Sequence, residues 1–557
     1  MMITQSRMLW AAALSLAMGA VAAAGDPSLP HLRKQGTATQ LVVDGKPMLM
    51  LAGELHNSST SDAGYMKPIW PRMAAMGLNT VIAPVSWELI EPAEGRFDFV
   101  LVDGMIDGAR RNDLRLVLIW FGSWKNGAST YEPSWVKKDI ERFPRVKDAQ
   151  GRTQEILSTF GGASRDADAL AFAALMRHLR DVDGRRHTVV MVQVENEVGV
   201  LNAPRDFSPA ASAAFDGPVP RALMDYLEAH RDALVPELRE LWETNGFKPS
   251  GTWEEVFGKG TSIEDDWTAY SHYPEEIFMA WNYAQYVGRV AAAGKAEYPL
   301  PMYANAWLKQ PDYGSPGRYP SGGPLPQVMD IWRAGAPAID LIAPDIYMPE
   351  FEWICGQYHR GGNPLFIPET RGGAVGAARV FWSMGRHDAM GFSPFGIDSA
   401  SPAEAGPMAQ SYSILSQLAP LILQNQGGDK MTGLLVTTNQ PTQRVTLGDY
   451  LIEARLGGAR RGLLAPEVAG GIVIATGPGE FIVAGKSLDV FFKPKVPGDL
   501  PWAAIDFVDE GTFQGGHWVP GRRLNGDEVH TSTFDGTGLR LYGPQPSIQR
   551  VKLYRYP

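Results

Sequence analysis

The fold is decided by two short stretches of sequence: VVMVQVENE at residues 189–197 and PLFIPE at residues 364–369. Each is an apolar, strand-forming run that ends in an acidic residue, Glu197 in the first and Glu369 in the second. The two acids are 172 residues apart (369 − 197), which leaves room for three strand–helix repeats between them. In a barrel of eight parallel strands, residues at the carboxyl ends of the strands converge on one rim. The two stretches therefore predict that Glu197 and Glu369 face each other across such a rim.

The rest of the chain supports a barrel, because strand-like runs alternate with helical stretches as far as about residue 400. Such alternation indicates parallel strands joined by crossover helices, and eight runs indicate a closed (β/α)8 TIM barrel. A doubly wound open sheet is the alternative, although no glycine-rich phosphate-binding turn follows an early strand. The predicted strands are Leu49–His56, Thr80–Pro84, Leu116–Trp120, Thr188–Glu197, Met302–Trp307, Ile339–Tyr347, Leu365–Glu369 and Met390–Gly396.

The pattern changes along the chain and predicts three regions. Residues 1–24 read as a signal peptide, residues 25–424 as the barrel, and residues 425–557 as a β-sandwich. Helical stretches at about 200–297 predict an insertion over the barrel rim. The sandwich is indicated by short alternating runs between Gly, Pro and Asn turns: Arg444–Leu447, Tyr450–Leu456, Gly471–Thr476, Phe481–Ala484, Leu488–Phe492, Trp502–Val508, Leu539–Tyr542 and Ile548–Tyr554.

The N-terminal residues predict export. Arg7 gives a positive start, Met8–Ala20 is uncharged and mostly apolar, and Ala22–Ala24 resembles a cleavage site. The single cysteine, Cys355, excludes an internal disulfide bond, which suits a bacterial periplasm. We therefore expect a periplasmic or secreted protein with no membrane segment after cleavage of the signal.

Charge and composition narrow the range of partners. The formal net charge is −10 and no run of Lys or Arg is present, so nucleic acid and anionic lipid are poor candidates. The ten histidines are scattered, without His-x-x-x-His or Cys-x-x-Cys spacing, so no metal site and no cofactor are predicted. The sequence does not specify an oligomeric state.

Two facing carboxyls are the groups needed to cleave a glycosidic bond, since one donates a proton to the leaving oxygen while the other attacks the sugar. The alternative interpretation is that each Glu caps the helix that follows its strand. Asn196 precedes Glu197 and would contact a sugar hydroxyl, or else form a turn after the strand. The pattern favours a glycosidase with a carbohydrate substrate.

Several motifs resemble glycoside hydrolase family 35, a family composed largely of β-galactosidases. The acid/base motif is matched by Gln193–Glu197, the first strand by Asp44–Pro47 with Gly53–His56, and the second strand by Gly77–Thr80 with Gly95–Phe99. The resemblance covers about residues 40–200 and the region around Glu369. It implies a retaining mechanism with Glu197 as acid/base and Glu369 as nucleophile, and a bacterial two-domain enzyme with a C-terminal sandwich.

The same resemblance suggests which residues bind the sugar. A tyrosine at the position of Tyr347 hydrogen-bonds the nucleophile in related barrels, and Glu54 and His56 occupy the first-strand position. After the third strand the family's Cys-Ala-Glu-Trp is replaced by a different sequence, so Trp124, Lys125 and Asn126 are expected to supply the missing contacts. Pro84 stands where the family usually has a sugar-contacting tyrosine.

Three functions follow as expectations. The first is an exo-acting, retaining β-galactosidase that removes terminal galactose from plant-type oligosaccharides or polysaccharides, such as xyloglucan side chains. The second keeps the mechanism but changes the sugar to glucose, mannose or arabinose. The third is a non-catalytic carbohydrate-binding barrel, which the presence of both carboxyls and Asn196 argues against.

Overall fold

The structure of the protein, a computed structural model, describes residues 28–260, 274–311, 314–457, 466–531 and 536–557. The predicted signal peptide, residues 1–24, lies outside these described residues. In the part before residue 400 the strands are β1 (His31–Gln35), β2 (Ala38–Val43), β3 (Lys46–Met48), β4 (Met50–Glu54), β5 (Thr80–Ser86), β6 (Arg115–Lys125), β7 (Arg145–Lys147), β8 (Thr153–Leu157), β9 (Val189–Asn196), β10 (Met302–Trp307), β11 (Leu341–Ile346), β12 (Ile367–Thr370) and β13 (Gly391–Pro394).

Eight of these strands form a closed parallel barrel in the order β4-β5-β6-β9-β10-β11-β12-β13, with β13 pairing back to β4. Each predicted run coincides with one of them, so the prediction of a (β/α)8 barrel is confirmed. The strands are nearly continuous apolar runs because a parallel barrel is covered on both faces. Apolar side chains fill its interior, and Leu41 and Val43 of β2 belong to the same buried cluster.

The N-terminal sheet depends on a tight turn. Strands β1, β2 and β3 are antiparallel, and Asp44-Gly45 joins β2 to β3. Both turn residues have positive φ, 51° and 73°, as a two-residue type I′ turn requires. Asp-Gly suits this turn because Gly has no Cβ and Asp tolerates the left-handed region.

Helices cover the outside of the barrel and add an insertion. Segment 209–257 contains four of them, α7 to α10. Helix α11 follows this segment and packs against α6 on the barrel surface. The predicted insertion of 200–297 therefore includes α11, a 24-residue helix that belongs to the barrel wall. The helices are α1 (Ala63–Met66), α2 (Ile69–Ala75), α3 (Trp87–Ile90), α4 (Val100–Arg111), α5 (Ser134–Lys138), α6 (Gly162–Asp183), α7 (Pro209–Phe215), α8 (Arg221–Ala229), α9 (Pro236–Thr244), α10 (Trp253–Phe257), α11 (Pro274–Glu297), α12 (Met329–Gly335), α13 (Phe351–Tyr358), α14 (Gly373–His387) and α15 (Pro402–Asn425).

Beyond α15 the described chain is all-β, as predicted. A six-stranded antiparallel sheet has the order β14-β17-β18-β24-β20-β21, and a five-stranded sheet has the order β15-β16-β19-β23-β22. Their facing sides enclose a separate apolar cluster. The strands are β14 (Met431–Thr437), β15 (Thr442–Leu447), β16 (Tyr450–Leu456), β17 (Val468–Gly477), β18 (Glu480–Lys486), β19 (Leu488–Pro494), β20 (Trp502–Gln514), β21 (His517–Leu524), β22 (Val529–His530), β23 (Gly538–Leu541) and β24 (Ser547–Tyr556).

The six-stranded sheet covers one flank of the barrel. Helix α14 packs against β14 and β17, and glycines permit the close approach. A Cβ built on Gly470 would lie 2.1 Å from the carbonyl oxygen of Ala378, and one on Gly433 would lie 2.4 Å from that of Trp382. The sheet is therefore seated directly on the helix backbone. Among the described residues, no helix is both long and apolar enough to cross a bilayer.

Candidate active site

A cavity of about 240 Å³ opens at the carboxyl ends of the barrel strands and contains both predicted acids. Glu197 follows β9 directly and Glu369 lies in β12. The two strands meet the cavity from different sides of the barrel, with β10 and β11 between them. The lining residues are Asn126, Glu197, Trp307, Leu308, Gln310, Asp345, Tyr347, Met348 and Glu369.

Glu197 is held in an unusual backbone conformation. Its φ is 47°, in the left-handed region, which is uncommon for residues other than glycine and recurs at functional sites. The side chain of Asn305 fixes this conformation, because its Oδ1 accepts a hydrogen bond of 3.0 Å from the Glu197 backbone N–H. Burial, together with the negative charge of Glu369, raises the pKa of Glu197 to about 7. Glu197 is therefore suited to hold a proton near neutral pH.

Glu369 has a different environment. The hydroxyl of Tyr347 donates a hydrogen bond to Oε1, whereas Oε2 has no hydrogen-bond partner among the described residues. Burial raises the pKa of Glu369, while the positive charge of Lys125 and the Tyr347 hydroxyl lower it. These two groups stabilise the ionised form, so Glu369 is the better candidate for the nucleophile. The predicted hydrogen bond between Tyr347 and Glu369 is present.

Asn196 is fully buried at the last position of β9, directly before Glu197 in the chain. Neither its Oδ1 nor its Nδ2 has a hydrogen-bond partner among the described residues. A buried amide without partners costs about 1–3 kcal/mol, and this cost is recovered when a ligand supplies the missing bonds. Contact between this amide and a sugar hydroxyl stays a prediction from the sequence.

A tight turn places the end of β6 at the cavity. Lys125 and Ala128 exchange backbone hydrogen bonds of 2.8 and 3.0 Å, and the residues between them have φ of 54° and 65°. These are the features of a type I′ turn, for which Asn126-Gly127 is a preferred sequence. Lys125 Nζ donates a hydrogen bond of 2.6 Å to Asn126 Oδ1, so the turn presents Asn126 to the cavity and keeps the ammonium group beneath it.

Trp124 lies beneath the site, and this placement corrects the expectation that its indole supplies a sugar contact. The ring is fully buried, packs edge-to-face against Tyr283 and Tyr286, and donates a hydrogen bond of 3.1 Å to the carbonyl oxygen of Leu157. The Trp124 backbone N–H donates to Oε2 of Glu195 at 2.8 Å. We therefore propose no substrate contact for Trp124.

Glu195 is distinguished from Glu197 by where its side chain lies. It is fully buried, and its carboxyl lies against Asp168 of α6, outside the cavity. Burial, together with the charge of Asp168, raises the pKa of Glu195 well above its usual range. Of the two acids in the Glu-Asn-Glu motif, only Glu197 reaches the cavity.

The two first-strand residues take different positions. Glu54 ends β4, is buried, and interacts electrostatically with Glu369, Lys125 and Glu197. The side chain of His56 is 46% exposed, and its Nδ1 lies 2.9 Å from Oδ1 of Asp398. Glu54 therefore joins the buried charges under the site, whereas His56 lies at the solvent-exposed rim.

Sequence reasoning missed six residues of the site: Asn305, Trp307, Leu308, Gln310, Asp345 and Met348. Asn305 and Trp307 lie in β10, and Asp345 lies in β11, in register with Glu369 of β12. The signal that identified Glu369, a polar residue near the end of an apolar run, was present for Asn305 and Asp345 as well. Within the described ranges, no group of three or more His, Cys, Asp or Glu side chains is arranged to hold a metal ion.

Comparison with known proteins gives two family matches. A family model described as β-galactosidase, of glycoside hydrolase family 42, matches residues 61–257. A second model, described as a domain of unknown function (DUF5597), matches residues 408–534, from within α15 into the sandwich. The first match includes β5, β6 and β9, and therefore Asn196 and Glu197.

Parts of this chain are also similar to individual proteins. A β-galactosidase of Xanthomonas manihotis is 34% identical over 196 residues, which are 33% of this chain and 29% of that protein. The chain thus spans less than a third of that relative's length. A β-galactosidase structure from Bacillus circulans sp. alkalophilus has a TM-score of 0.44 at 15% identity, covering 67% of this chain and 57% of the other. The catalytic domain of a β-amylase from Paenibacillus polymyxa has a TM-score of 0.46 at 13% identity, and the match covers 65% of this chain and 96% of the other.

The matched family is 42, whereas the motifs resemble family 35. The two families share the coarser description of β-galactosidase. The sequence matches support a β-galactosidase-like glycoside hydrolase built on a (β/α)8 barrel.

Proposed function

We propose that this protein is an exo-acting, retaining β-galactosidase of the family 35 type, with Glu197 as acid/base and Glu369 as nucleophile. The observation that carries the proposal is the unequal environment of two carboxyls in one cavity. Lys125 and Tyr347 favour the ionised form of Glu369, and burial beside that carboxylate keeps a proton on Glu197. Pairs of acids whose pKa values are pushed apart are the usual basis of acid and nucleophile roles.

In the first step, Oε2 of Glu369 attacks the anomeric carbon of the terminal sugar. The bond from that carbon to the leaving oxygen breaks, its electron pair stays on the oxygen, and Glu197 supplies the proton. The product is a sugar ester of Glu369 and a released alcohol. Proton transfer of this kind typically contributes about 10²–10⁴-fold to the rate.

In the second step, Glu197 acts as a base. It takes a proton from a water molecule while the water oxygen attacks the anomeric carbon, and the ester bond to Glu369 breaks. Glu369 is restored as a carboxylate and Glu197 regains its proton. The anomeric carbon is inverted twice, so the configuration of the sugar is retained.

Four side chains are proposed to hold the sugar. The unpartnered amide of Asn196 contacts the hydroxyl next to the anomeric carbon, and Asn126 and Lys125 read the more distant hydroxyls. Trp307 lines the cavity and offers an indole for stacking on the sugar ring. The cavity, of about 240 Å³, is smaller than the roughly 300–1,000 Å³ of drug-sized pockets, and we propose that it takes one terminal sugar.

The natural substrate is proposed to be a plant-type oligosaccharide or polysaccharide with terminal β-galactose, such as xyloglucan side chains. Export to the periplasm or to the medium, as the N-terminal sequence predicts, would bring the enzyme to such a substrate. Faster hydrolysis of a glucoside, mannoside or arabinoside is an alternative outcome of the following test.

The test is hydrolysis of a panel of nitrophenyl glycosides by the wild-type protein and by Glu369→Ala. We expect the β-galactoside to be the best substrate and the variant to be inactive, because no glycosyl ester forms without the nucleophile. Added azide should restore turnover of the variant. A faster rate on the β-glucoside would reject galactose but keep the mechanism, and no turnover of any glycoside by the wild-type protein would favour a binding protein.

A further inference from the structure

The site contains more acids than a two-carboxylate mechanism uses. Glu54, Glu197, Asp345 and Glu369 are all buried, and each interacts electrostatically with at least one of the others. Lys125 is the cation whose charge acts on Glu54, Glu197 and Glu369. Four ionised carboxylates around one ammonium group would repel strongly in a buried site, so some of them must be protonated.

The two oxygens of Asp345 have different environments. It is 4% exposed, and its Oδ2 accepts a hydrogen bond of 2.6 Å from Nδ2 of Asn305. The other oxygen, Oδ1, has no hydrogen-bond donor among the described residues, and the carboxyl of Asp345 interacts with that of Glu197. Two carboxyls can bond to each other only if one of them carries a proton.

The side chain of Asn305 connects Asp345 to Glu197 through two hydrogen bonds. Its Nδ2 donates to Asp345 while its Oδ1 accepts from the Glu197 backbone N–H at 3.0 Å. One amide side chain therefore fixes Asp345 relative to the backbone of Glu197. This arrangement holds Asp345 close to Glu197 and leaves Oδ1 of Asp345 without a donor among the described residues.

We propose that Asp345 remains a neutral carboxylic acid at neutral pH and donates a hydrogen bond to the carboxyl of Glu197, as a positioning residue for the acid/base. Burial and the charges of Glu369, Glu197 and Glu54 all raise the pKa of Asp345, well above its usual range. The hydroxyl of Tyr347 is also near, and it is neutral at this pH.

The consequence for the reaction is a steady orientation of Glu197. When Glu197 carries its proton, Asp345 holds the carboxyl in place for donation to the leaving oxygen. When Glu197 is a carboxylate, the same bond is charge-assisted and stronger. A neutral donor thus lowers the pKa of Glu197 without adding a further negative charge beside Glu369.

The test compares Asp345→Asn with Asp345→Ala. An asparagine is neutral, can accept from Asn305 through Oδ1, and can donate to Glu197 through Nδ2. We expect kcat/KM of Asp345→Asn to stay within about threefold of the wild-type value. The alkaline limb of its pH profile should lie within roughly 0.3 pH unit of the wild-type limb. Asp345→Ala should lose about tenfold or more in kcat, and its alkaline limb should move to higher pH because the stabilising donor is gone.

An ionised Asp345 would give a different pattern. Asp345→Asn would then remove a negative charge next to Glu197, and its alkaline limb would shift to lower pH by about one unit or more. That result would overturn the proposal, as would an Asp345→Asn variant as impaired as Asp345→Ala.

A spectroscopic measurement tests the protonation state without substrate. The infrared difference spectrum between wild type and Asp345→Asn at neutral pH should contain the carbonyl stretch of one protonated carboxylic acid, and absence of that band would overturn the proposal. The kinetic arm depends on the proposed glycosidase function, whereas the infrared arm does not. An inactive wild-type protein that shows the band would therefore reject the function and keep the inference.

Discussion

Tyr347 donates a hydrogen bond to Oε1 of Glu369 from just beyond the end of the adjacent strand, β11. The bond occupies one carboxylate oxygen and leaves Oε2 without a partner among the described residues. Because a hydrogen bond to the ionised form lowers a carboxyl pKa, the phenol also opposes the effect of burial on Glu369. One oxygen is held and the other is available for attack on the anomeric carbon.

Glu197→Ala should separate the two steps of the proposed reaction. A leaving group of low pKa scarcely needs protonation, so attack on an activated aryl galactoside should be less impaired than cleavage of a natural disaccharide. Breakdown of the glycosyl ester still lacks its base, so a burst of released phenol should precede a slow steady state. Equal loss on both substrates, with no burst, would exclude Glu197 as the acid/base.

The pH dependence of kcat/KM should have an alkaline limb near pH 7. The pKa of Glu197 is raised to about 7, so its proton is present below that pH and is lost as the pH rises through it. The acidic limb should lie above pH 4.5, because the pKa of Glu369 is also raised from its usual value and protonation removes the nucleophile. A rate on a disaccharide that stays constant to about pH 9 would contradict this assignment.

Asn126→Gly tests whether the turn after β6 reads the sugar. Glycine is chosen because φ at this position is 54°, where alanine would add strain of about 1–2 kcal/mol. Loss of the side chain should reduce kcat/KM on galactosides by an amount equivalent to about 1–3 kcal/mol. The melting temperature should change little, since the turn is preserved. An unchanged ratio of galactoside to glucoside rates would mean that Asn126 does not select the sugar.

The contact between the barrel and the sandwich should be sensitive to a single methyl group. Gly470→Ala would place a Cβ 2.1 Å from the backbone oxygen of Ala378, and such overpacking typically costs about 1–3 kcal/mol. The melting temperature should therefore fall. Gly356→Ala in α13 is the matched control, because its Cβ would have no heavy atom within 4 Å and should be neutral or slightly stabilising. Equal melting temperatures for the two variants would show that the interface is not tightly packed.

The barrel could be predicted because its strands leave a strong signal. A parallel strand covered on both faces is an uninterrupted apolar run, and eight such runs alternate with helices. Glu197 and Glu369 were found by the same signal, since each stands at the end of such a run. Asn305 and Asp345 carry it too, on predicted strands between those of the two acids, but one sequence does not show that Asn305 bonds to both Asp345 and Glu197.

Trp124 could not be placed from sequence for a different reason. The pairing of β6 with β9 shifts register between Trp120 and Lys125, so the alternation of side chains along β6 is interrupted. Counting outward from Trp120 therefore does not tell which side chain faces the cavity. In the sandwich, β21 was missed because it contains Pro520 and Gly521 and is largely exposed, which removes the apolar alternation.

Proton NMR of the first sugar released from an aryl β-galactoside tests the central claim most directly. Retention requires two successive inversions at the anomeric carbon, one by Glu369 and one by a water molecule activated by Glu197. We expect β-galactose to appear first and the α anomer to follow only by mutarotation. An initial α product would mean a single displacement, and it would contradict the assignment of Glu369 as the nucleophile.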